Sequence, residues 1–201
     1  MKTQPIPRGS QAAMLRVLAI GMMVTVLSGC GIVLDLDVTL FTRVDLEQAL
    51  QESGLESEAI PAEGGRVPVM YRTEIDLTED IGDEFNSGSM DLTLESIIYR
   101  IPENSTTADL HDVSIVLADA EAQTPEGGDR LGFMELIPAG TPVADTPLET
   151  DLGGEEALEE KLQALTFTVF IFATVDVEPE PAPMPSGVAM IEVDIKAQVS
   201  H

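Results

Sequence analysis

The chain has 201 residues, a formal net charge of −26 and a hydrophobic content of 44%, which together fit one folded domain. So acidic a surface repels the phosphates of nucleic acids, and no cluster of lysines and arginines offsets it, so the charge argues against nucleic-acid binding. Aromatic residues make up 4% of the chain and Trp is absent, so Val, Ile, Leu and Ala must fill the core. A core of this composition favours strands.

The first thirty residues have the parts of a secretion signal. A basic stretch through Arg16 precedes an uncharged run over residues 17–27, and Leu27-Ser28-Gly29-Cys30 ends the segment. This tetrapeptide resembles the lipobox of bacterial lipoproteins. The resemblance implies that residues 1–29 are a signal peptide, cleaved between Gly29 and Cys30. It also implies that Cys30 carries diacylglycerol on its thiol and an acyl chain on its new amino group.

The same resemblance implies a membrane partner and a location. Thiolates are good nucleophiles for accepting lipid, and several acyl chains anchor a protein stably where one chain binds reversibly. The protein is therefore expected in the bacterial cell envelope, and Gly31 favours the outer over the inner membrane. The alternative is an uncleaved signal anchor, because residues 17–34 are uncharged over nearly the length of a spanning helix. Met1 and Met14 are both candidate initiators.

The rest of the chain is even more acidic than the whole. The leader holds three of the ten basic residues and no acid, so the remainder has seven basic residues, 36 acids and a formal charge of −29. Such acid-rich, lysine-poor surfaces are typical of proteins from saline habitats, and we first interpret the charge as a solvation property. Cys30 is the only cysteine, which excludes an intramolecular disulfide.

Seven strands are predicted after the leader, most of them from alternation of apolar and polar residues, the one at 113–118 from a continuous apolar run and a weaker one at 131–137. They cover residues 32–40, 67–77, 90–101, 113–118, 131–137, 166–177 and 188–199. Residues 145–154 are predicted as a loop. Short helices are predicted near residues 46–52, where Asp45 is a candidate N-cap, and at residues 155–164.

Two strands carry more specific expectations. In the strand at 90–101, the side chains of Leu92, Leu94 and Ile98 are expected to face inward. In the strand at 166–177, Phe170 and Phe172 make the second face apolar as well, which predicts a central strand covered on both sides.

Seven strands and two short helices predict a mostly β fold, a single antiparallel β-sandwich domain over residues 30–201. An immunoglobulin-like topology is the natural expectation, although no Cys or Trp marker supports it. Because the strand pattern starts at Ile32, the domain is expected to lie against the bilayer with almost no tether.

Acidic pairs at positions i and i+2 recur along the chain. This spacing places two carboxylates on one strand face, as a glycosidase needs, but the solvent face of any acidic sheet produces the same pattern. We prefer the second interpretation for all three pairs, which are Asp35 with Asp37, Glu74 with Asp76, and Glu192 with Asp194.

Calcium binding is a more credible role than catalysis for the carboxylates of an exported protein, because calcium prefers oxygen ligands. Residues 76–84 are dense in side-chain oxygens, although Ile81 and Ser87 replace the glycine and the closing glutamate of an EF-hand loop. The candidate calcium ligands are Asp76, Asp80, Asp83 and Glu84.

Other chemical motifs are incomplete. His111, Asp112 and Ser114 have the residue types of a catalytic triad, but neighbours on a strand point to opposite faces. Zinc is disfavoured because His111 and His201 are the only histidines. Asn104-Ser105-Thr106 matches a glycosylation sequon. No catalytic residue and no cofactor beyond the lipid is predicted.

The sequence therefore favours a non-enzymatic envelope lipoprotein that displays loops or an edge strand to a protein or glycan partner. The alternative is a carrier of a lipid or other hydrophobic ligand, with Phe170 and Phe172 lining a cavity in the sandwich. A hydrolase built from acids alone ranks third.

Overall fold

Two antiparallel five-stranded sheets pack against each other in the computed structural model, which describes residues 23–25, 33–52, 64–78, 91–179 and 182–200. Sheet A contains, in spatial order, β1 (Met23–Thr25), β2 (Val33–Asp45), β10 (Val188–Ser200), β4 (Asp91–Asn104) and β7 (Val143–Pro147). Sheet B contains β3 (Gly65–Asp76), β9 (Thr166–Val177), β5 (Leu110–Asp119), β6 (Asp129–Ile137) and β8 (Glu149–Thr150). The predicted β-sandwich is confirmed.

The strand order departs from an immunoglobulin arrangement. An immunoglobulin domain places its last two strands in one sheet, whereas β9 and β10 lie in different sheets. The last strand, β10, lies between β2 and β4 in sheet A, and β9 lies between β3 and β5 in sheet B. The central position predicted for the strand at 166–177 is therefore confirmed.

Both helices that the sequence predicts are present among the described residues. Helix α1 (Leu46–Glu52) begins after Asp45, whose Oδ1 accepts a hydrogen bond from the Gln48 backbone N–H at 3.3 Å, so the predicted N-cap is present. Helix α2 (Gly154–Ala164) contacts β4 of sheet A and β6, β5 and β9 of sheet B. It buries Leu158 and Leu162 completely and thereby covers the sandwich core.

The core is aliphatic, as the scarcity of aromatic residues requires. On β10 every second residue from Ala189 to Val199 is buried, and these side chains face their counterparts across the sandwich. All described residues of the main hydrophobic cluster lie between Leu36 and Val199. The short strand β1 falls in the predicted signal peptide and pairs by its backbone with residues 33–35 of β2.

Two predictions on strands are wrong. Ile98 lies on the outer face of sheet A opposite Asp194, because an irregularity in the β4–β10 register shifts the alternation and places Ile97 in the core instead. Residues 145–154 are not simply a loop, since β7 extends sheet A and β8 extends sheet B within this segment. These short edge strands carry little alternation, so the sequence pattern does not reveal them.

Candidate binding face

The predicted lipidation and cleavage residues, Cys30 and Gly29, lie outside the described residues. The described chain resumes at Val33 with β2, three residues after Cys30. Among the described residues, no helix has both the length and the apolar character needed to span a membrane.

Of the calcium candidates, only Asp76 is described, since Asp80, Asp83 and Glu84 lie outside the described ranges. Asp76 Oδ1 accepts hydrogen bonds from the Thr78 hydroxyl at 2.6 Å and the Thr78 backbone N–H at 3.0 Å. These bonds lower the pKa of the Asp76 carboxyl, the hydroxyl having the larger effect. Within the described ranges, no three His, Cys, Asp or Glu residues group in a way that could hold a metal ion.

His111 belongs to an ion cluster at one end of the outer face of sheet B. Its Nε2 lies 3.1 Å from Asp176 Oδ2, and Arg66 Nε donates to Asp176 Oδ1 at 3.2 Å. Asp112 has a φ of +52° at an irregularity in β5, and its Oδ2 lies 3.7 Å from an Arg66 nitrogen. Strand alternation was therefore the wrong reason to separate His111 from Asp112, because the irregularity brings both to the same cluster. Ser114 lies elsewhere, opposite Phe172.

The acidic pair on β10 binds an arginine. Arg100 donates to Glu192 and Asp194 at 2.5 Å each, and the Thr39 hydroxyl donates to Asp194 at 2.7 Å. The hydrogen bond to Glu192 is the largest cause of a raised pKa of the Arg100 guanidinium. The two carboxylates do share one face, as the spacing predicts, and Arg100 offsets part of their negative charge on the outside of sheet A.

Asn104 has a structural role that occupies its whole amide. Its Nδ2 donates to the carbonyl oxygens of Pro138 at 2.8 Å and Thr141 at 3.1 Å. Its Oδ1 accepts from the backbone N–H and the hydroxyl of Thr106 at 3.0 and 2.8 Å. A glycan on Nδ2 would remove at least one of the two donated hydrogen bonds. The asparagine of the sequon therefore serves to hold the loop at Pro138 and Thr141.

A cavity of about 30 Å³ lies between the two sheets. Its walls are almost entirely aliphatic and include Leu158 of α2, while the hydroxyl of Thr42 is buried there without a hydrogen-bond partner among the described residues. A cavity that binds benzene has about 150 Å³, and drug-sized ligands need roughly 300 to 1,000 Å³. Phe170 and Phe172 are not among its walls. This cavity is too small for the lipid of the carrier hypothesis.

An apolar patch lies on the outer face of sheet B. Met70, Phe172, Ser114 and Phe133 are register neighbours on four adjacent strands, so this row spans about 14 Å at the usual strand spacing. Phe133 is 38% exposed, and Leu136, three residues further along β6, is 43% exposed. Leu136 lies opposite His111, and the irregularity between His111 and Ser114 in β5 brings it to the same outer face as Phe133. We call the following residues the sheet B patch: Met70, Val116, Phe133, Leu136 and Phe172.

The connection from β5 to β6 is bound to Arg72 at one side of the patch. Arg72 Nε donates to the Ala122 carbonyl oxygen of this connection at 2.6 Å, and an Arg72 terminal nitrogen donates to Glu74 at 2.5 Å. Phe170 lies beside Arg72 in the register and is completely buried, although its side chain is on the outer face. Its ring stacks on Phe172 with centroids 6.4 Å apart. The second apolar face of β9 is thus covered at Phe170 and partly open at Phe172.

The sequence indicates Phe170 and Phe172 but misses Phe133 and Leu136, because the strand at 131–137 has no regular alternation. Their apolar character inside a polar segment was the available signal. Comparison of the chain with protein-family profiles, with curated proteins and with solved structures finds no match. The candidate face therefore depends on geometry and physical chemistry alone.

Proposed function

We propose that the protein is a non-enzymatic, lipid-anchored binding module of the bacterial cell envelope, and that it contacts its partner through the sheet B patch. The observation that carries the proposal is the exposure of Phe133 and Leu136 together on one sheet face of a chain with net charge −26. Apolar side chains grouped on a surface mark interaction sites, because burying them in a complex removes them from water.

The described polar clusters support a non-catalytic role. His111 binds Asp176, Arg100 binds the β10 carboxylates, and Asn104 binds two loop carbonyls, so these groups stabilise the fold. A partner-binding role needs no reacting group, and rigid sheets present a preformed surface at little entropic cost.

Photo-cross-linking in the producing cell tests the binding surface. A photoreactive phenylalanine analogue at Leu136 is expected to give a discrete adduct, since this side chain would be buried in the complex. The same analogue at Met190, on the outer face of sheet A, is the matched control and is expected to give none. Equal labelling at both positions, or none at Leu136, would contradict the use of this face.

The anchor is tested separately. Cys30→Ser removes the thiol that the lipobox resemblance makes the lipid acceptor, and it is expected to release or mislocalise the protein. Ser28→Ala keeps a small residue before the cysteine and is expected to fractionate as the unaltered protein does. Unchanged membrane fractionation of Cys30→Ser would favour the signal anchor instead.

A further inference from the structure

In the described parts of the chain, the positive charges around the sheet B patch are paired with carboxylates, whereas several of the negative charges are not. Arg66, Arg72 and Arg130 border the patch, and each is already bound to a carboxylate: Arg66 to Asp176, Arg72 to Glu74, and Arg130 to Asp151. Because every one of these guanidinium groups has an acidic partner, the margin offers no uncompensated positive charge to an anionic ligand.

Several carboxylates beside the patch, by contrast, form no ion pair with a described residue. Glu149 lies directly opposite Phe133 in the β6–β8 register, Glu135 precedes Leu136, and Glu121 adjoins the Ala122 carbonyl that binds Arg72. All three are exposed, and within the described part of the chain none of them forms an ion pair. We call Glu121, Glu135 and Glu149 the rim carboxylates.

The negative charge of this margin favours some binding partners over others. A second copy of the chain would bring the same rim carboxylates close to each other and add repulsion between two bodies of net charge −26. An anionic lipid surface meets the same repulsion. A protein surface with lysine or arginine at its margin is attracted to the rim carboxylates instead. Opposite charges at the rim of an interface speed the encounter of the right partners and disfavour wrong ones.

We infer that the sheet B patch binds a protein surface that is apolar at its centre and carries lysine or arginine at its margin, an inference that rests on the proposed function. Phe133 and Leu136 enter the apolar centre, and the rim carboxylates face the cationic margin. Buried aromatic anchors supply most of the affinity at such interfaces, whereas rim charges set the rate of encounter and its salt dependence.

Three peptides test the inference on the full chain in nanodiscs of neutral phosphatidylcholine, with empty nanodiscs as the blank. The peptides share the same leucine and phenylalanine positions and carry lysine, glutamine or glutamate at all other positions. Fluorescence anisotropy measures binding to the unaltered chain, to Phe133→Ser with Leu136→Ser, to Glu135→Gln with Glu149→Gln, and to Met190→Ser. The first double variant keeps the net charge, so its loss of binding reports the apolar centre alone.

We expect the lysine peptide to bind most tightly, and to bind the Phe133→Ser, Leu136→Ser variant roughly tenfold to thirtyfold more weakly. The Glu135→Gln, Glu149→Gln variant should lose affinity for the lysine peptide only, and raising salt from about 0.05 M to about 0.5 M should have a similar effect. Met190→Ser should bind as the unaltered chain does. Because the substituted side chains are all partly exposed, the variants are expected to fold, and circular dichroism checks this.

The contrary outcomes separate the two proposals. Equal binding of all three peptides, abolished by Phe133→Ser with Leu136→Ser, overturns the basic partner and leaves the binding face intact. Equal binding of the lysine peptide to the unaltered chain and to that variant reports diffuse charge attraction and overturns both proposals. Dimers in sedimentation that disappear in the same variant overturn the inference in favour of a second copy.

Discussion

Replacing Gly187 by alanine is expected to destabilise the fold far more than replacing Gly127 by alanine. Both glycines have a positive φ, +99° at Gly187 and +81° at Gly127, a conformation that side chains with a Cβ rarely adopt. A Cβ at position 187 would overlap the Ser105 carbonyl oxygen and lie 2.9 Å from Thr106 Cα. At position 127 nothing lies within 4 Å of the added atom.

The crowding at position 187 cannot be relieved locally. The Gly187 carbonyl accepts the Leu46 N–H that opens α1, at 3.0 Å, and the next residue, Val188, exchanges hydrogen bonds with Ser105 at 2.8 and 3.0 Å. A positive φ costs a non-glycine residue about 1 to 2 kcal/mol, and forcing backbone apart costs about 1 to 3 kcal/mol more. We expect a loss of about 2 to 5 kcal/mol for Gly187→Ala and about 1 to 2 kcal/mol for Gly127→Ala.

Urea unfolding followed by circular dichroism measures the difference. With a slope of about 2 kcal/mol per molar urea, the midpoint should fall by about 1 to 2.5 M for Gly187→Ala and by about 0.5 to 1 M for Gly127→Ala. Equal midpoint shifts in the two variants would refute the reasoning, since they would show that the junction between β4 and β10 accommodates a methyl group without cost.

Two further stability predictions follow from polar contacts. Asn104→Asp places a carboxylate oxygen against the carbonyls of Pro138 and Thr141, so thermal unfolding should show a loss of about 1 to 3 kcal/mol at neutral pH. The repulsion raises the native-state pKa of the new carboxyl, so the loss should shrink as pH falls through that raised pKa towards the unfolded-state value of about 3.9, and a pH-independent loss would contradict this account. The hydrogen bond from Lys161 Nζ to Asp119 at 2.7 Å raises the pKa of Lys161 and lowers that of Asp119. Its stabilisation is therefore present between the two unfolded-state pKa values, of about 3.9 and 10.4, and is lost as pH falls below the first or rises above the second. Asp119→Asn should remove the part of the acid and alkaline losses that the pair contributes, and an unchanged profile of unfolding midpoint against pH would exclude a role for the pair.

Regular alternation made the long strands predictable. The bounds expected for the strands that became β3, β9 and β10 agree with the structure to within two residues, and Asp45 was the correct cap for α1. The prediction failed at Ile98 and for β7 and β8, where the register with a neighbouring strand, rather than the local pattern, sets the conformation. Such pairings join distant residues, and no local pattern encodes them.

The sequence by itself determined the acidic surface, the single cysteine in a segment that resembles a lipobox, the aliphatic core and the second apolar face at Phe170 and Phe172. Only the tertiary structure decided that Phe170 is buried on the outer face of sheet B while Phe133 and Leu136 remain exposed beside carboxylates that form no ion pair with a described residue. The physical reason is that alternation assigns a side chain to one of two sheet faces, whereas its exposure depends on which other segments pack over that face.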